Sequence, residues 1–162
     1  MKDEHEQGYV YTELLICTLI MVMLSGSAAF VLHDFKEAAV RKQFEADTNR
    51  VLAIMLNERI RVMAGTPKET ALSRIYFTED TIYVTAPDAD GNVKSIQYSF
   101  GSRLKIRAYF GSNAGKEIIF KLSGSISQAG NIIFNSADGK LKRELIVQPV
   151  NSLIYLKPVE TV

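Results

Sequence analysis

The sequence predicts an α+β protein: one long N-terminal α-helix, a membrane span followed by an amphipathic stalk, packed on a C-terminal antiparallel β-sheet or small sandwich. Three observations predict it. Leu14 to Leu32 is a run of nineteen residues without a charge, and at about 1.5 Å per helical residue it reaches about 28 Å, close to the hydrocarbon thickness of a bilayer. Apolar side chains then recur at helical spacing as far as Ala64. Beyond Arg74 the spacing changes to period two, in short β-branched and aromatic runs separated by turn residues.

Taken in order, the apolar run is preceded by Glu13, a carboxylate at the entrance of a lipid-length helix. Such a group is costly in hydrocarbon and marks a functional position whose partner needs naming. Ser25-Gly26-Ser27 interrupts the bulky residues with three weak helix formers. They make either a soft point or a surface for close helix packing. From Asp34 to Ala64 the apolar positions are Val40, Phe44, Val51, Met55 and Val62, with polar Thr48 and Glu58 breaking the stripe. Lys36, Glu37, Arg41, Lys42, Glu45 and Arg50 occupy the other faces.

Gly65-Thr66-Pro67 ends the helix, with a glycine suited to its C-terminus and a proline that cannot continue it. Strands are expected at Arg74–Phe77, Thr81–Ala86, Val93–Phe100, Leu104–Phe110, Glu117–Ser123, Asn131–Ser136, Leu141–Gln148 and Ser152–Lys157. Turns are expected at Asp90-Gly91-Asn92, Gly101-Ser102, Gly111-Ser112-Asn113, Gly130 and Asp138-Gly139.

Gly8-Tyr9-Val10-Tyr11-Thr12-Glu13 before an unbroken hydrophobic helix resembles the class III signal of type IV pilins and pseudopilins. The order Ile118-Ile119-Phe120, Gly130-Asn131-Ile132-Ile133-Phe134, Asp138-Gly139-Lys140, Leu145-Ile146-Val147 resembles the β-rich end of GspH-type pseudopilins and ComGD-type competence pseudopilins. The resemblance implies that a prepilin peptidase cuts after Gly8 and leaves Tyr9 as the new N-terminus, a position open to methylation. It implies that Glu13 serves assembly together with Tyr9, and that Gly26 is a helix breaker loosened on assembly. Tyr9 stands where the family usually has Phe, Thr12 where it usually has an aliphatic residue, and the leader is acidic where relatives make it basic. Lys36, Arg41 and Lys42 after the span exceed Lys2 before it. The positive-inside rule alone therefore favours the reverse orientation, and an external β domain follows from the resemblance.

The expected organisation is a leader at 1–8, an assembly helix at 9–33, a stalk at 34–64 and a β-rich head at 65–162. The function this implies is a structural minor pseudopilin of a competence, DNA-uptake filament. Its partners would be the prepilin peptidase, other pilins, the membrane and DNA, with the head outside the cell membrane and the assembled filament at the cell surface. The alternatives are a type II secretion pseudopilin and an uncleaved, signal-anchored ligand-binding module. An ordinary signal peptide is the further rival, since Leu14 to Leu24 and the small residues Ser27-Ala28-Ala29 imitate one. The acidic start and the continuing helical period count against it.

Composition narrows the chemistry. The formal balance of +1 becomes +3 without the leader, 18 basic against 15 acidic residues, which is not nucleic-acid-like by charge alone. One cysteine, Cys17, excludes an intramolecular disulfide. The two histidines are His5 and His33, and no nucleophile elbow, P-loop or dinucleotide fingerprint occurs, so no catalysis and no cofactor are expected. Asp88-Ala89-Asp90-Gly91-Asn92 lacks the distal acid of a calcium loop and reads as a hairpin turn. Arg103, Lys105 and Arg107 alternate with Leu104, Ile106 and Ala108, placing a basic stripe on one face of a strand. That stripe is either a solvated, aggregation-resistant surface or a contact for DNA phosphates.

Overall fold

The computed structural model describes residues 3–65, 73–87, 92–111 and 115–162, the side chains of 3–10 and 27–30 excepted. The chain divides into two units, Met1–Arg41 and Lys42–Val162. A helix, α1 (Asp3–Ala64), makes up the described part of the first unit and enters the second. It is long and apolar enough to cross a membrane near the N-terminus. Every described side chain from Tyr11 to Arg41 is exposed in the isolated chain, including Leu15 at 68% and Met21 at 73%.

In the second unit the same helix becomes one-sided. Phe44, Val51, Ile54, Met55 and Val62 are buried, whereas Val40, expected on this stripe, lies in the first unit and is 42% exposed. Thr48 does not break the stripe but is wholly buried within it. Its hydroxyl donates to the Glu45 carbonyl at 3.0 Å and accepts from Arg143 Nη1 at 2.8 Å, so its burial leaves no polar atom unpaired. Glu58, the other expected break, accepts from Ser73 Oγ at 3.0 Å and pairs with Arg61 at 2.9 Å.

Nine strands follow among the described residues, in two antiparallel sheets. β1 (Ser73–Phe77), β2 (Thr81–Pro87), β3 (Val93–Ser99) and β5 (Glu117–Phe120) form the first, in the order β3-β2-β1-β5. The second contains β4 (Leu104–Phe110), β6 (Gly130–Ser136), β7 (Leu141–Gln148) and β8 (Leu153–Leu156) in that order, with β9 (Glu160–Thr161) also on β7. Strict alternation makes the inner rows apolar. Ile75 and Phe77 face inward from β1, and Leu104, Ile106, Ala108 and Phe110 from β4; all join one core with the buried half of α1. The Phe77 and Phe110 rings meet across the two sheets at 5.7 Å between centroids.

Six of the eight expected strands differ in their bounds: β1 begins one residue earlier, at Ser73, β2 runs one residue longer, to Pro87, and the other four differ for local reasons. The strand expected at Glu117–Ser123 stops at Phe120, because Lys121 to Ser125 closes a turn through Gly124, whose φ is +72°. A side chain at Gly124 would also strike Met63. The strand expected to reach Phe100 stops at Ser99, because Phe100 has helical dihedrals and opens a 3-10 turn, Gly101–Arg103. The strand expected at Ser152–Lys157 is Leu153–Leu156, and β9 then pairs with the other end of β7 after Pro158, which has no N–H for a ladder. Gly130, expected as a turn, begins β6, where a Cβ would collide with the Tyr109 carbonyl and the Phe110 ring. Thr66-Pro67, the Asp88–Gly91 part of the hairpin and Ser112-Asn113 lie outside the described residues, although β2 and β3 do pair antiparallel from Thr81↔Ser99 to Pro87↔Val93.

Candidate functional site

Two places carry the residues singled out from the sequence. At the N-terminal end of α1, Gly8 and Tyr9 fall in helical backbone, and the Tyr9 side chain lies outside the described set. Glu13 is exposed and makes no hydrogen bond or ion pair among the described residues. The hydroxyls nearby are satisfied within the helix: Thr18 Oγ1 donates to the carbonyls of Leu14 and Leu15 at 2.9 Å, and Ser25 Oγ to those of Met21 and Val22. In hydrocarbon such internal bonds are required, because there is no water to replace them. Glu13 has no equivalent, which sets it apart chemically from Thr18 and Ser25. Gly26 stands in unbroken helix, and an added Cβ there would meet nothing within 4 Å.

The second place is the outer face of the β4 sheet. The strand's burial alternates strictly, placing Lys105, Arg107 and Tyr109 outward and the apolar residues inward. Arg103 does not belong to this strand face. It closes the preceding 3-10 turn, and its Nε donates to the Phe100 carbonyl at 3.5 Å. The structure thus keeps two cations of the stripe on the strand and adds Tyr109, which sequence reasoning passed over even though the same period-two count places it there. Opposite them on β6, in register, are Asn135, Ile133 and Asn131.

No family model matches this chain, and no curated protein or solved structure matches it either.

Glu144, on β7 in the same sheet row as Arg107 and Ile133, is already engaged on both oxygens. Asn131 Nδ2 donates to one at 2.6 Å and Lys157 Nζ to the other at 2.6 Å. Those two donors hold the Glu144 carboxyl below the usual glutamate range, and the same contact holds the Lys157 ammonium above its own. On the opposite, inner face of β7, Arg143 reaches α1. It donates to Thr48 Oγ1 at 2.8 Å and Asn49 Oδ1 at 2.9 Å on the helix, and to the Lys157 carbonyl at 2.8 Å. Burial pulls the Arg143 guanidinium below its ordinary pKa, while the charge of Glu45 opposes that shift. Among the described residues no group of three His, Cys, Asp or Glu side chains could hold a metal ion.

Proposed function

We propose that this chain is a membrane-anchored structural subunit of a type IV pilin-like filament, a minor pseudopilin of a DNA-uptake or secretion machine, trimmed after Gly8. The single observation that carries the reading is the contrast within α1: an uncharged run exposed along its described length, entered by a carboxylate without a partner among the described residues, followed by a half whose apolar stripe is buried in its own β head. An exposed apolar helix of this length needs lipid or other helices around it. Glu13 gives the arrangement a direction. Cleavage after Gly8 would free the Tyr9 amine one helical turn away in sequence, and in a bundle that amine on a neighbouring subunit offsets the cost of a carboxylate in hydrocarbon, about 2.5 to 3.5 kcal/mol on insertion scales. The other pilins of the filament and the peptidase are the partners this requires.

Intact mass of the membrane-extracted protein tests the reading. A mature chain beginning at Tyr9 is expected. A chain beginning at Met1 would instead make it an uncleaved anchor carrying a binding module, and one beginning near Phe30 an ordinary secreted protein. Glu13→Ala is expected to leave trimming and the β head intact while lowering recovery in sheared filaments; normal recovery would remove the proposed pairing.

A further inference from the structure

The outward row of β4 has the composition of a binding surface rather than of a merely solvated edge. Lys105 and Arg107 are exposed and make no hydrogen bond or ion pair among the described residues. They are two residues apart on one face, about 6.8 Å. Tyr109 follows at the next outward position with 42% of its surface exposed. The row through Tyr109 continues in register across the sheet as Asn131, Ile146 and Tyr155, the last 37% exposed. With strands about 4.8 Å apart, the two tyrosines stand about 14 Å from each other.

Charge on this face selects an anion. Glu144 is bonded to Asn131 and Lys157, so its charge is already engaged away from Lys105 and Arg107. Glu160, the other acid of the sheet, lies opposite Lys142 at the far side of β7. A neutral sugar chain would have use for the tyrosines but none for Lys105 and Arg107. A duplex would meet the cations, but its stacked bases would leave the rings idle. Exposed rings beside cations that are unpaired among the described residues fit a chain that offers both phosphates and unstacked bases.

We propose that the outer face of β4 and β6 binds single-stranded nucleic acid, with Lys105 and Arg107 on phosphates, Tyr109 stacked under a base and Asn135 hydrogen-bonding beside them. The contact is sequence-tolerant, since neither stacking nor phosphate neutralisation reads base edges. It stands independently of the filament reading, because it uses only the head.

The test is fluorescence anisotropy of the full chain in neutral detergent micelles with a labelled oligothymidylate, a duplex of equal length and heparin as probes. The oligothymidylate is expected to bind most tightly, with log affinity falling against log salt at a slope near −1.4. Lys105→Gln and Arg107→Gln are each expected to remove about 0.7 of that slope. Tyr109→Leu is expected to weaken binding about 5- to 150-fold with the slope unchanged, and Tyr109→Phe to restore it. Lys121→Gln, an exposed cation elsewhere, is the control and should change nothing. Thermal unfolding of each variant verifies that the head is intact. Absence of binding overturns the proposal. So does equal binding of duplex or heparin, or indifference to Tyr109→Leu, either of which would reduce the face to a general polyanion surface. Those outcomes leave the anchored-subunit reading untouched, since that is decided by the mass of the mature chain.

Discussion

The first and second halves of α1 differ in charge and answer to different surroundings: no residue from Leu14 to Leu32 is charged, whereas eleven from Asp34 to Ala64 are. Leu14 to Leu24 is apolar around the whole circumference apart from Thr18, and its side chains are exposed all round. Phe44 to Val62 is apolar along one stripe, and that stripe is buried. The difference teaches that the apolar pattern around a helix, together with its charge, reveals which solvent it was made for. An all-round surface suits lipid or a bundle, and a stripe suits one protein face. Polar residues follow the same division. Thr18 and Ser25 satisfy themselves within the helix, whereas Thr48, Glu58 and Arg59 bond outward to the β head.

The comparison breaks most visibly in the core. Met55→Ala empties a site of zero exposure and is expected to lower head stability by about 2 to 5 kcal/mol. Leu19→Ala in the exposed run should stay within about 0.5 kcal/mol for the head. Urea unfolding of both variants in micelles, followed by near-ultraviolet tyrosine signal, measures the difference; comparable losses would mean that the two halves are not energetically separate.

Next in size is Arg143, whose three bonds tie β7 to α1 and to the Lys157 carbonyl. Arg143→Leu is expected to cost about 1 to 3 kcal/mol, since Asn49 and the Lys157 carbonyl lose their donor. The same urea titration reads it. Thr48→Val should cost less, because Arg143 keeps its other two acceptors.

A pH series tests the head further, through Glu144 and Asp138. Glu144 is lowered first by Asn131 and then by Lys157, and Asp138 by Ser136 and the Lys140 backbone. A depressed carboxyl contributes stability that is complete above its unfolded value and lost as pH falls through its lower native value. The head should therefore lose melting temperature on the acid side of the ordinary carboxylate range. Glu144→Gln should flatten that limb; an unchanged limb in the variant would assign the acid sensitivity elsewhere. The smallest effect belongs to Gly26→Ala. With open space around the position, helicity of the span should rise by the equivalent of about 1 kcal/mol or less by circular dichroism, with the head unaffected.

Much of this was legible in the sequence wherever one period held without interruption. Leu104–Phe110 and Leu141–Gln148 read correctly to the residue, because alternation was clean and turn residues flanked them. One sheet or a small sandwich was left open, and which strands share a sheet was not legible, since β1 pairs with β5 across the intervening strands, and no local pattern records a partner so distant. Thr48 and Glu58 looked like faults in the stripe because their bonding partners, Arg143 and Ser73, are remote or on another element. At the basic row, period two located Lys105 and Arg107 correctly. It also assigned Arg103 to the strand, because nothing in Gly101-Ser102-Arg103 announces that the turn lasts one residue longer. Gly8 and Tyr9 were singled out by resemblance, and Glu13 by its charge at the entrance of an apolar run, none of them by a packing signal.

The end of α1 is fastened by bonds that join residues made far apart in time. Arg59 donates to the carbonyls of Gly124, 65 residues on, and of Ser152, 93 residues on; Thr48 waits for Arg143, 95 residues on. A growing chain leaves synthesis at about 5 to 20 residues per second. The amphipathic half of the helix therefore exists for several seconds before its fasteners do. During that interval Phe44, Val51, Met55 and Val62 form an uncovered apolar strip, the kind of surface that a holding chaperone or a nascent neighbour would occupy. The same strip that finally unites the head makes its assembly slow and dependent on the last hairpin, β7 to β8, arriving intact.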